Sequence, residues 1–259
     1  MDILQPPHVP QVINTTEKEY DAIAEEYKKA AQREMRLFAL EPALKKYFAE
    51  VSGKKVLDLA CGEGNSSRLM KSLGATRVVG VSLSSKEIEL AKQQELTDNL
   101  GIEYHVGDAT KNLENIGTFD VVTAVMLLHY CPDKETLHRL VKNIKAHLTS
   151  GGVFITSTAN PKVAPNYDGY GMHMESASEE EGSPYQVTLG DFQGNTFCTF
   201  TSFYWKENTY REIFEQEGFD VEWFDSFISE EGIKKYGTEF WDKFNKNPIY
   251  SILKATRRN

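Results

Sequence analysis

Cysteine is scarce in this chain, and basic runs and long apolar runs are missing. The 259 residues include three cysteines, Cys61, Cys131 and Cys198. An odd, widely spaced set gives no disulfide framework and no CxxC zinc spacing. The six histidines are scattered without ligand spacing, so no metal is expected. No apolar stretch reaches transmembrane length. The N-terminus lacks a basic region followed by an apolar core, so no secretory signal is expected. The longest basic feature is the terminal Arg257-Arg258, and the net charge is −9. That leaves little to attract nucleic acid or an anionic membrane. A reduced, cytoplasmic setting is expected, and the oligomeric state is not written in the sequence.

Hydrophobic residues make up 40% of the chain, enough for a sizeable core. Strand patterns fall near 55–60, 77–82, 102–107, 119–126 and 152–159. Helical spacing falls near 65–73, 85–98 and 134–147. This alternation predicts an α/β, doubly wound parallel sheet. Upstream, residues 17–31 and 33–50 carry helical spacing after a proline-containing arm. Downstream, regularity breaks at Asn160-Pro161. The alternating run from Thr196 to Trp205 then predicts an antiparallel strand or hairpin. A helix over 207–217, a strand near 219–228, a helix over 229–245 and a strand near 249–256 close the chain.

The most informative stretch is Val56-Leu-Asp-Leu-Ala-Cys-Gly-Glu-Gly-Asn65. A short apolar run reaches an acid, meets two glycines and opens a helix. Gly62 and Gly64 lack a Cβ, so a ligand can approach the backbone. Ligands bind at the carboxyl edge of such sheets, near the point where strand order reverses. An acid there suits a ligand with a positive end.

Asp58-Leu-Ala-Cys-Gly62-Glu-Gly64 resembles the first motif of the class I S-adenosylmethionine-dependent methyltransferases. The resemblance continues in order through Gly107-Asp108-Ala109, the run from Phe119 to Tyr130, and the turn Leu148-Thr-Ser-Gly-Gly-Val-Phe-Ile155. Together these cover roughly residues 55–160. The resemblance implies a Rossmann-like seven-stranded sheet of order 3-2-1-4-5-7-6, with the last strand antiparallel. It divides the chain into an arm and helical lid (1–50) and a methyltransferase domain (51–259). Residues 160–205 would be a substrate-covering insertion after strand 5.

The resemblance also implies roles. Asp58 would face the ammonium of S-adenosylmethionine, directly or through water, with Ala60, Gly62 and Gly64 as the turn beneath it. Asp108 and Ala109 would hold the adenine, and Met126 would pack on the cofactor. Ser82 stands where the family usually carries an acid for the ribose. This leaves open weaker binding, a contact from elsewhere such as Glu87, or lost activity. Tyr20 and Tyr27, seven apart on one helix face, resemble a lid segment near the transferred methyl. His129 and Tyr130 follow the fourth strand, where an acceptor would be met. His129 is a candidate base or hydrogen-bond anchor; Tyr130 is a candidate pocket wall. Seven residues in or beside the insertion could shape an acceptor pocket, and Tyr170 and Tyr204 are the leading candidates.

The segments Tyr20–Lys29 and Ser202–Glu212 loosely resemble toxoflavin synthase-type N-methyltransferases, pointing to a flat heterocyclic or aromatic small molecule. The expected reaction is methyl transfer to nitrogen or oxygen, releasing S-adenosylhomocysteine. A non-catalytic cofactor-binding member and a protein methyltransferase are the alternatives. A nicotinamide oxidoreductase fits less well, because Ser67 falls where the third glycine of the dinucleotide fingerprint belongs.

Overall fold

The computed structural model describes residues 33–259. The chain enters through a π-helical segment, Arg36–Leu40, and helix α1, Glu41–Tyr47. A βα alternation follows: β1 (Lys55–Leu59), α2 (Asn65–Ser72), β2 (Arg77–Ser82), α3 (Ser85–Asp98), β3 (Ile102–Val106), β4 (Phe119–Val125), α4 (Lys134–Ala146) and β5 (Leu148–Ala159). Four further strands come next: β6 (Tyr167–Gly169), β7 (Met172–Glu175), β8 (Pro184–Gly190) and β9 (Thr196–Phe203). Helix α5 (Glu207–Gln216), β10 (Phe219–Asp225), α6 (Glu230–Tyr236), α7 (Asp242–Lys246) and β11 (Tyr250–Arg257) complete it.

The main sheet runs β10-β11-β5-β4-β1-β2-β3. Strands β1 to β5 pair in parallel, and β11 is antiparallel to both β5 and β10. This is the expected 3-2-1-4-5-7-6 order, with β11 and β10 as its seventh and sixth strands. Parallel strands with both faces covered need apolar residues of both parities. Val56 and Val78 join the core cluster shared with α1, while Leu57, Leu59, Val79 and Val81 join the cluster under α4 and α5. Helix starts are capped locally: Ser84 Oγ accepts from Glu87 N, and Asp133 Oδ1 accepts from Thr136 N at 2.6 Å. Asp120 ties β4 to β1 by accepting from Lys55 N at 2.9 Å.

Two expectations change. Residues 33–50 do not form one regular helix. Pro42 has no N–H to give to the Phe38 carbonyl, and the Ser229 N–H takes that acceptor at 2.8 Å instead. Residues 229–245 break at Gly237, whose φ is +82°, into α6, a 3₁₀ turn (Glu239–Trp241) and α7. The run from Thr196 is the expected antiparallel strand, β9, and it completes a four-stranded antiparallel sheet, β6-β7-β8-β9. Tyr185, Val187 and Leu189 of β8 and Met172 and Met174 of β7 are its buried face. Among the described residues, no helix is long and apolar enough to cross a membrane.

Candidate cofactor and acceptor site

The turn after β1 is built from left-handed backbone: φ is +53° at Ala60, +55° at Gly62 and +84° at Gly64. The Cys61 N–H reaches Val81 O at 3.0 Å and the Gly64 N–H returns to Cys61 O at 2.9 Å. A Cβ on Gly64 would lie 2.3 Å from the Tyr104 hydroxyl oxygen, so glycine is sterically required there. Asp58 stands behind this turn. Its carboxylate accepts from Ser66 Oγ (2.7 Å), Ser67 Oγ (2.6 Å) and Thr123 Oγ1 (3.0 Å). Burial pushes its carboxyl up, and the three hydroxyls pull it back only in part. Asp58 is fully buried and is absent from the cavity wall. These bonds tie the end of β1 to the start of α2 and to β4.

In front of the turn lies a cavity of about 380 Å³, bounded by Gly62, Ser82, Glu87, Asp108, Ala109 and Met126 among others. Ala60 is also on its wall. Ser82 Oγ donates to Glu87 Oε2 at 2.8 Å. Glu87 belongs to the first turn of α3, held there by the Ser84 cap. The structure thus brings a carboxylate to the end of β2 from the next helix, through a serine at the usual place. At the opposite edge, Asp108 accepts from Thr110 N and Thr110 Oγ1 and lies 3.2 Å from Lys111 Nζ. Partial burial opposes ionisation, but the Thr110 and Lys111 contacts win and hold its carboxyl below the usual range. Ala109 is fixed by its carbonyl, which accepts from Asn143 Nδ2 at 2.8 Å.

A second, smaller cavity, about 40 Å³, lies between the main sheet's carboxyl edge and the insertion sheet. Arg36, Met126 and Tyr130 line both cavities and mark where they meet. Met126 sits there with φ +62°, a strained backbone for a side-chain-bearing residue, its N–H bonded to Ser157 O. Nothing in the strand pattern announces that turn.

His129 is on the wall of the smaller cavity. Its Nδ1 is 3.1 Å from Thr158 Oγ1. Burial alone pushes its pKa down to about 3, so the imidazole is neutral at ordinary pH. Its ring packs on Tyr130 at 4.6 Å, and Tyr130 packs on Phe200 at 5.8 Å.

Tyr204 reaches a neighbouring pocket, also walled by His129, and its hydroxyl donates to Pro161 O at 3.4 Å. Tyr170 goes elsewhere. Its hydroxyl donates to Phe240 O and its ring stacks on Trp241 at 5.2 Å, within an aromatic cluster joining the insertion to the segment around Trp241. Half-buried in that cluster, it lines neither cavity, so the pocket-wall role expected for it does not fit its position. Tyr20 and Tyr27 lie outside the described residues. Sequence reasoning missed Arg33, Tyr185 and Tyr250, which line the smaller cavity. They belong to distant segments, with no local motif to flag them.

Residues 56–152 match the family described as "Methyltransferase domain". A ubiquinone biosynthesis O-methyltransferase from Coxiella burnetii is 31% identical over 144 residues, 54% of this chain and 60% of that protein. The chain therefore aligns with less than two thirds of that relative. Among solved structures, an S-adenosylmethionine-dependent methyltransferase from Mesorhizobium loti has a TM-score of 0.61 at 22% identity, covering 83% of this chain and 96% of that one. The CcbJ methyltransferase from Streptomyces caelestis has a TM-score of 0.65 at 15% identity, covering 95% and 100%. The fold is that of the class I S-adenosylmethionine-dependent methyltransferases. Within it, residues 56–152 are the part of the chain that is similar to that family.

Proposed function

We propose that this protein is an S-adenosylmethionine-dependent methyltransferase acting on nitrogen or oxygen of a small, flat heterocyclic or aromatic molecule. The observation that carries the reading is the Glu87 carboxylate at the end of β2, in a cavity that meets a second, mostly apolar one. The larger cavity suits the cofactor's nucleoside. Glu87, with Ser82, offers acceptors for a vicinal diol. Apolar side chains such as Leu83 and Leu140 flank a slot for a flat base, and Asp108 stands at its polar edge. The Gly62 backbone leaves room for the methionine end. When bound, S-adenosylmethionine would supply an electrophilic sulfonium methyl, its C–S bond breaking with the electron pair kept by sulfur.

The chain's own part is positioning and water exclusion. Aligned approach of acceptor and methyl carbon supplies much of the rate in such displacements. Met126 and Tyr130, at the meeting of the cavities, would guide the acceptor atom. The insertion 160–205 would cover it, with Tyr204 beside His129. His129, neutral, serves as a hydrogen-bond anchor. An amine acceptor needs no base before transfer and sheds its proton afterwards to solvent.

Calorimetric titration with S-adenosylmethionine, S-adenosylhomocysteine and NADH tests this. Micromolar binding of the first two and none of NADH is expected. Glu87→Gln should weaken binding at least tenfold, about 1.4 kcal/mol. Failure of both sulfur compounds to bind sinks the reading, and unchanged affinity in Glu87→Gln removes Glu87 from it.

A further inference from the structure

The smaller cavity contains a charge that the methyl-transfer reading does not use. Arg33 is only 8% exposed. Its Nη2 donates to the Tyr250 hydroxyl at 2.5 Å, and the guanidinium carbon lies 6.0 Å from the Tyr250 ring centroid. Its Nη1 is buried and, among the described residues, has no hydrogen-bond partner. No described residue forms an ion pair with it, and no Asp or Glu is among the described residues lining the cavity. The other cation there, Arg36, faces Glu41 at 3.6 Å and so has a carboxylate of its own. The rest of the wall is apolar or neutral: methionines and aliphatics, hydroxyl-bearing side chains and the neutral His129.

A buried guanidinium with an open N–H and, among the described residues, no counter-charge is costly to fold. Arginine cannot shed its charge to escape that cost. Its planar fork matches a carboxylate, and such charge-assisted hydrogen bonds strengthen where water is excluded.

We propose that the acceptor carries a carboxylate, and that Arg33 binds this group as the specificity-determining contact of the smaller cavity. The acceptor is then a compact aromatic or heteroaromatic acid, its charge on Arg33 and its methylated atom toward Met126 and Tyr130. This rests on reading the smaller cavity as the acceptor site.

The test uses the full chain with saturating S-adenosylhomocysteine. Benzoate, 2-naphthoate and quinoline-2-carboxylate are titrated beside their primary carboxamides and followed by ligand-observed NMR. At least one acid should bind tenfold or more tighter than its amide. That preference should vanish in Arg33→Gln and survive in part in Arg33→Lys. Equal binding of acid and amide, no binding of any acid, or a preference that persists in Arg33→Gln overturns the proposal. The wild-type comparison needs no variant to fold. S-adenosylhomocysteine binding is measured separately on the same preparations. Its failure counts against methyl transfer, while the acid-over-amide preference, repeated without it, still decides the role of Arg33.

Discussion

His129 shows how a single residue changes meaning once its surroundings are known. In the sequence it is a histidine beside the fourth strand, suited to proton transfer. In the structure burial lowers its pKa from 6.5 to about 3, so it is neutral and a weak base. The same shift has a consequence for stability. Between those two pKa values the unfolded chain binds a proton that the folded chain refuses. His129 therefore costs the fold nothing above about pH 6.5, and its cost grows as the pH falls toward 3. Asp58, whose carboxyl is raised by burial, acts with the opposite sign, so comparison with a variant is needed to isolate the histidine. Urea unfolding from pH 7 to 4 should show a shallower loss of stability in His129→Gln than in the wild type. Parallel curves would show that His129 is not buried neutral. Ser82 and Glu87 make a related point. The serine is a departure from the family pattern at its own position, but it donates to a carboxylate five residues on. A motif compared position by position cannot see that exchange.

The β1–turn–α2 element carries most of what was legible beforehand. Its apolar run, its two glycines and the helix after them were readable because strand, tight turn and helix start each leave a local signature. What was not readable was the direction of Asp58. Strand parity does not say that Ser66, Ser67 and Thr123 would enclose the carboxylate. Gly64 allows a direct test of the turn. It needs a left-handed backbone and also has no room for a Cβ against Tyr104. Gly64→Ala should cost about 2–4 kcal/mol, combining left-handed strain with overpacking. Gly53→Ala is the control, since Gly53 also has positive φ (+74°) but nothing within 4 Å of the added Cβ. It should cost only the strain, about 1–2 kcal/mol. Equal losses by thermal unfolding would show that Tyr104 gives way. The insertion was less legible as an element. Its strands β6 and β7 are three and four residues long, too short for alternation to stand out.

For the molecule as a whole, the two cavities and their shared wall are the result that matters. Arg36 enters from the N-terminal segment, while Met126 and Tyr130 enter from the end of β4, and all three reach both spaces. A ligand of the larger cavity binds the folded chain alone and must stabilise it by mass action. S-adenosylhomocysteine at about a hundredfold over its Kd should add about 2.7 kcal/mol. For a chain of this size that is a rise in Tm of about 5–10 °C. A Tm that does not move at millimolar concentration would contradict the cavity's assignment.

The sequence by itself determined the sheet, its strand order through the family resemblance, and the turn over which a cofactor would lie. Those features are local or repeat in a fixed order, so propensity, periodicity and spacing report them. Tertiary structure alone decided that Asp58 is buried among hydroxyls, that Glu87 meets Ser82 at the end of β2 and that Tyr170 belongs to an aromatic cluster. It alone brought Arg33 and Tyr250, 217 residues apart, to one wall. Each of these depends on which distant surfaces pack together, and on the cost of burying charge where they meet. Neither can be read from neighbours in the chain.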